Sequence, residues 1–177
     1  MPRHGYGAPV GRRVDVEQLV GLREVAECLG LPRVQTLHYM RRTDSSFPDP
    51  IWTRPTQGGH GAVWYWPEIR RWATAAGHEL PQRAKSASGR RLVDVDHLVA
   101  NIDIACYLGY SQAQRVYKLR WNYPDFPAPV FASSDGPWAK RLWAWPEVWR
   151  WAKNCGHTFP ADLGRSPAAA LRSRAQQ

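Results

Sequence analysis

Residues 101–121, NIDIACYLGYSQAQRVYKLRW, carry two apolar helical stripes separated by a glycine, and they decide the fold. Ile102, Ala105 and Leu108 recur at helical spacing, Asn101 is suited to cap the helix start, and Gly109 takes the left-handed conformation that ends it. A second short helix starts at Ser111 and runs to about Trp121, with Ala113, Val116, Tyr117 and Leu119 on its inner side. Two short helices joined across a glycine-containing turn make a helix-turn-helix pattern.

The same pattern stands 79 residues earlier. Residues 12–81 align with 91–160 without a gap, and 24 of those 70 positions are identical. In the first copy Leu22, Val25, Ala26 and Leu29 form the first stripe, Gly30 closes it, and a second helix runs from Pro32 to about Thr43. Each copy is long enough to hold a small core of its own. The chain therefore reads as a flexible N-terminal arm (1–11), domain 1 (12–81), a basic linker (82–90), domain 2 (91–160) and a basic tail (161–177), flexible or a short helix. The linker QRAKSASGR is polar and rich in small residues, as a solvated connector is.

Downstream of the helix pair, Phe47-Pro48-Asp49-Pro50 and Phe126-Pro127-Ala128-Pro129 impose an extended exit. Ile51-Trp52 and Val130-Phe131 read as one strand of a hairpin, and Val63–Trp66 and Leu142–Trp145 as its return. A period of two puts Trp64 with Trp66, and Trp143 with Trp145, on one face. Pro67 and Pro146 then open a final helix that Gly77 or Gly156 ends. These elements predict a mainly α protein with small β-hairpin wings, built as two tandem winged helix-turn-helix domains.

The run Leu-Gly-x-[Pro/Ser], then Phe-Pro-x-Pro, then Trp-x-Trp-Pro-Glu-[Ile/Val]-x-x-Trp resembles the excisionase/MerR-type winged-helix DNA-binding domains, including the AlpA-like regulators of actinobacteria and their phages. The resemblance covers both repeats. It implies a transcriptional regulator, often a repressor of mobile-element genes, or an architectural factor such as an excisionase. The sequence departs from MerR regulators proper in having no heptad run for a dimerisation helix.

A helix that enters a major groove presents long polar side chains outward, where Gln pairs with adenine and Arg with guanine. In the first recognition helix these are Arg33, Gln35, Thr36, Tyr39 and Arg42; in the second, Ser111, Gln112, Gln114, Arg115 and Lys118. Gln35 and Gln114 occupy equivalent positions. The wings offer Arg54, Gln57 and His60 in domain 1 and Ser133, Lys140 and Arg141 in domain 2, for phosphates or the minor groove. Arg41 and Arg120 recur nearer the packed side, as salt-bridge or phosphate-clamp candidates. Trp64, Trp66, Trp72, Trp143, Trp145 and Trp151 recur at periods that explain burial, whereas Trp121 and Trp138 lack a Trp counterpart and are candidate exposed contacts. His78 and His157 follow helix-ending glycines and read as structural.

The chain carries a net charge of +9, of which +3 lies in the linker through Arg83, Lys85 and Arg90, candidate phosphate contacts. Three cysteines, Cys28, Cys106 and Cys155, are too few and too dispersed for a disulfide framework or a zinc site. No apolar run reaches membrane-span length, and Met1–Gly11 lacks a signal-peptide core. No catalytic motif, metal set, cofactor site or small-molecule site stands out. The expectation is a cytoplasmic, nucleoid-associated, non-enzymatic protein that binds double-stranded DNA at a direct repeat of unequal half-sites, with self-association on DNA possible. Within that class, a plasmid centromere-binding role in partition stands beside regulation and excision. From another class, the rival is a winged-helix protein–protein adaptor.

Overall fold

A short turn begun by an aspartate opens each repeat. In the first, strand β1 (Arg13–Asp15) leads into a 3-10 turn over Val16–Gln18, where the Asp15 carboxylate accepts the Glu17 N–H at 3.2 Å. Strand β2 (Leu19–Gly21) follows, then helix α1 (Leu22–Cys28). Helix α2 (Val34–Thr43), strands β3 (Trp52–Thr53) and β4 (Ala62–Tyr65), and helix α3 (Trp66–Ala75) complete the repeat. The second repeats this order: β5 (Leu92–Asp94), a 3-10 turn over Val95–His97, β6 (Leu98–Ala100), α4 (Asn101–Tyr107), α5 (Gln114–Asn122), β7 (Phe131–Ala132), β8 (Arg141–Ala144) and α6 (Trp145–Asn154). The computed structural model describes residues 11–53, 61–78, 80, 91–133 and 140–159. The chain forms two compact units, one of Met1–Pro9 with Val14–Leu92 and one of Val10–Arg13 with Val93–Gln177.

The expectation of a mainly α protein with hairpin wings is corrected. The described residues hold six helices and eight strands, about 47% helical and 19% strand, a mixed α/β architecture. The reason lies in β2 and β6. Each is only three residues long, too short to display an alternating pattern, yet each pairs antiparallel with the returning strand of the hairpin. Val20 stands opposite Trp64, and Val99 opposite Trp143. The order is β2-β4-β3 in one sheet and β6-β8-β7 in the other, with β4 and β8 in the centre. What the sequence suggests is a projecting hairpin is thus part of a three-stranded sheet whose central strand enters the core.

Helix termini follow from particular residues. The Gly21 N–H donates to Glu24 Oε2 at 2.8 Å, and the Ala100 N–H to Asp103 Oδ2 at 2.7 Å, so a carboxylate in the first turn caps each helix from inside. Asn101 is not the cap: it is the first residue of α4, and its Oδ1 is buried without a hydrogen-bond partner. Gly30 (φ +66°) and Gly109 (φ +74°) end α1 and α4. There Leu31 and Tyr110 donate back to the carbonyls of Ala26 and Ala105 at 2.9 and 2.8 Å, a double-bonded C-cap that glycine completes from its own N–H. Helices α2 and α5 start later than Pro32 and Ser111, and neither start has a side-chain cap.

Aromatic packing explains why Phe-Pro-x-Pro and the tryptophans occur together. Phe47 wedges between Trp72, at 4.6 Å between ring centroids, and Trp64, at 6.2 Å. Phe126 does the same between Trp151 and Trp143, at 4.6 and 6.4 Å. The Trp64 indole N–H donates to the Pro48 carbonyl at 3.1 Å, and that of Trp143 to the Pro127 carbonyl at 3.1 Å. Trp66 and Trp145 are buried too, but as the first residues of α3 and α6 instead of strand residues, with proline immediately after. Burying side chains of this size contributes most of the stability available to so small a core.

Candidate functional site

Helix α2 packs on α1 through Leu37, which is fully buried, with Val34 and Met40 half-buried against the same core. That inner face fixes the outer one. Gln35, Thr36, Tyr39 and Arg42 are exposed, and Arg33 is exposed in the residue before the helix. In the second unit Val116 and Leu119 are buried, Ala113 and Tyr117 are half-buried, and Gln114, Arg115 and Lys118 are exposed. Ser111 and Gln112 are exposed in the turn ahead of α5. The helical wheel and the core therefore agree on which face is free of packing.

The two outer faces share a stripe at i, i+4 and i+7. In α2 it is Gln35, Tyr39 and Arg42; in α5 it is Gln114, Lys118 and Trp121. Each stripe holds a glutamine, a cation and an aromatic ring, with the last two in opposite order. The rings are far out: Tyr39 is 68% exposed and Trp121 86%. An indole so exposed forgoes roughly 1.5–3 kcal/mol or more of burial, so packing does not account for its position.

The cations differ in how they are held. The Arg115 guanidinium lies 5.6 Å from the centre of the Tyr110 ring, and that of Arg141 lies 5.9 Å from the Tyr117 ring. Arg41, on the packed side of α2, covers Trp64 at 5.5 Å. Its counterpart Arg120 is half-buried. At the base of the second hairpin the Ser133 N–H donates to the Lys140 carbonyl at 2.9 Å, and the Lys140 N–H to Ser133 Oγ at 3.1 Å. That pair closes the loop and sets Lys140, which is exposed, beside Arg141. Arg54, Gln57 and His60 of the first hairpin, Trp138 of the second, and Arg83, Lys85 and Arg90 of the linker lie outside the described residues.

Just past α2, Asp44 is a fixed acceptor. The Ser46 hydroxyl donates to it at 2.6 Å, the Trp72 indole at 2.9 Å and the Ser46 N–H at 2.8 Å, and these bonds, the Ser46 hydroxyl foremost, hold its carboxyl below the ordinary value. His78 and His157 lie against Trp72 and Trp151 at 6.3 and 5.9 Å. Among the described residues no group of three or more His, Cys, Asp or Glu converges, and no helix is long and apolar enough to cross a membrane.

Tyr110 escaped the sequence-based reading, because it stands in the turn and outside any helical period. The available signal was a paired change between the copies: Tyr110 replaces Leu31 where Arg115 replaces Thr36. Comparison with known protein families, curated proteins and solved structures returned no match.

Proposed function

We propose that the chain binds double-stranded DNA with sequence preference, each unit offering the outer face of its second helix to a major groove. The observation that carries this reading is the pair of matched stripes, Gln35–Tyr39–Arg42 and Gln114–Lys118–Trp121, exposed on helices whose opposite faces are locked into the core. Glutamine can form two hydrogen bonds to adenine, and lysine and arginine meet guanine or phosphate. Lys140 and Arg141 at the hairpin base, and the basic linker, supply further phosphate contacts in this scheme. Because the stripes share only their glutamine, the preferred site is a direct repeat of unequal half-sites bound by one chain. Regulation of transcription, with repression foremost, is the role this chemistry serves; excision and partition use the same binding.

Selection of bound sequences from a random duplex library, at near-physiological salt and with the full chain, tests the proposal. Two related half-motifs in the same orientation are expected. A selection that enriches nothing would refute it. The exposure of Tyr39 and Trp121 favours one second reading, a protein-binding adaptor, in which those rings anchor a partner. In that case Gln114→Ala leaves function intact while Trp121→Ala abolishes it.

A further inference from the structure

The second helices are matched at Gln35 and Gln114, yet only the second unit has an arginine directly after that glutamine. Arg115 is exposed at the second position of α5, where a long side chain ordinarily samples many rotamers and binding must restrict them. Here the guanidinium lies over the Tyr110 ring at 5.6 Å. Tyr110 is itself fixed twice. Its N–H closes the C-cap of α4 on the Ala105 carbonyl at 2.8 Å, and its ring is half-buried against the core cluster of the second unit. A ring held at both backbone and side chain is a platform, and an arginine resting on it loses less freedom when it binds.

From this geometry we infer that Tyr110 is a positioning residue that pre-orders Arg115 to read a guanine, and that the second unit is the guanine-reading half of the protein. The inference rests on the DNA-binding proposal and assigns the bases within it. The first unit lacks both members of the pair. Leu31 closes the same kind of C-cap, at 2.9 Å to the Ala26 carbonyl, but has no π face, and Thr36 has no guanidinium. The frame that holds the pair is shared between the copies at Leu29 and Leu108, Gly30 and Gly109, and Gln35 and Gln114, whereas the other positions from 31 to 40 differ. Among those differences, the Tyr110–Arg115 pair is the one in which a cation lies over a ring.

The rival explanation is that Tyr110 only packs the turn. Three full-length variants separate the two. Tyr110→Phe keeps ring and packing, Tyr110→Leu installs the residue of the first unit, and Arg115→Ala removes the reader. Each is measured by thermal melting and by binding to duplexes in which each selected base pair is changed in turn. Arg115→Ala is expected to lower discrimination for one G·C pair under the second unit by about tenfold or more. Tyr110→Leu is expected to lower it at that same pair by about two- to fivefold, the size of an exposed cation–π contact, with an unchanged melting point and unchanged discrimination elsewhere. Tyr110→Phe is expected to retain it. Conversely, Leu31→Tyr with Thr36→Arg is expected to confer a G·C preference on the first half-site that exceeds what Thr36→Arg confers alone.

Equal discrimination by Tyr110→Leu and the unaltered chain overturns the positioning role. So does a Tyr110→Leu loss spread evenly over all base pairs. A selected motif with no G·C pair sensitive to Arg115→Ala overturns the guanine assignment while DNA binding stands. A chain that selects no motif at all overturns DNA binding and this inference with it.

Discussion

The two repeats differ at one indole hydrogen bond, and that difference can be moved from one to the other. In the first unit the Trp72 indole N–H donates to Asp44 Oδ2 at 2.9 Å. The equivalent indole, Trp151, is 4% exposed, and its N–H is buried with no partner, because position 44 corresponds to Tyr123. A buried donor left unsatisfied costs about 1–3 kcal/mol. Tyr123 offsets part of that by an edge contact with Trp151, with ring centroids 5.5 Å apart, worth about 0.5–1.5 kcal/mol. Tyr123→Asp alone would set the new carboxylate two residues from Asp125, where the first unit has Ser46 donating to its aspartate. The double variant Tyr123→Asp with Asp125→Ser transplants the whole arrangement. Its net gain is expected near 1 kcal/mol, which raises the melting temperature of a unit this size by about 4–8 °C. Hydrogen exchange localises the effect: amides of α5 and α6 gain protection and those of α2 and α3 do not. The gain requires an ionised carboxylate, so it is present at neutral pH and lost under acid. A double variant that melts at or below the parent temperature at pH 7 refutes the claim that the Trp151 N–H lacks a partner.

Further outcomes follow from the same geometry. The Asp44 carboxyl is held below its unfolded value, so its stabilising effect is present above that value and lost as pH falls through the folded one; acid titration of first-unit melting should flatten in Asp44→Asn. Gly30→Ala and Gly109→Ala meet no atom within 4 Å, so their cost is the left-handed backbone alone, about 1–2 kcal/mol each by denaturant unfolding. Trp145→Ala should cost roughly 3–5 kcal/mol and, under the proposed function, lose DNA binding through unfolding, whereas Gln114→Ala should leave the denaturation midpoint unchanged and still weaken binding to the proposed site.

Most of each repeat was legible because its strongest signals are local. The 3.6-residue stripes of the helices, the glycines at positive φ and the Pro at each final helix start all act over one or two turns, so they survive in a single sequence. The outer faces of α2 and α5 were legible for the same reason, since Leu37 and Val116 determine what faces away from them. The sheet was not. Leu19-Val20-Gly21 is defined by a partner more than 40 residues away, at Val63–Tyr65, and three residues cannot display a period of two. The cap at Asn101 failed on a local competition: Asp103 reaches the Ala100 N–H first, and Asn101 is drawn into the helix. Trp66 failed because a strand and a helix start are both compatible with a buried ring before proline. Tyr110 and Arg115 were legible only as a joint change between the copies.

The wedge of Phe47 between Trp64 and Trp72, with Pro48 tied to the Trp64 indole, has a consequence for how such a chain can change. Together with the C-cap at Gly30 it clamps both ends of one segment, residues 30–47, and Gly109 and Phe126 clamp its counterpart, 109–126. The two segments are 18 residues each, enter through the same bond pattern and leave through the same aromatic lock. They are equal in length and anchored alike at both ends. An exchange between the copies, or a tract borrowed from elsewhere with the same two ends, can rewrite the exposed helix face in one step while the surrounding frame keeps its register. A unit of this design can therefore acquire a different exposed helix face without passing through an unfolded ancestor.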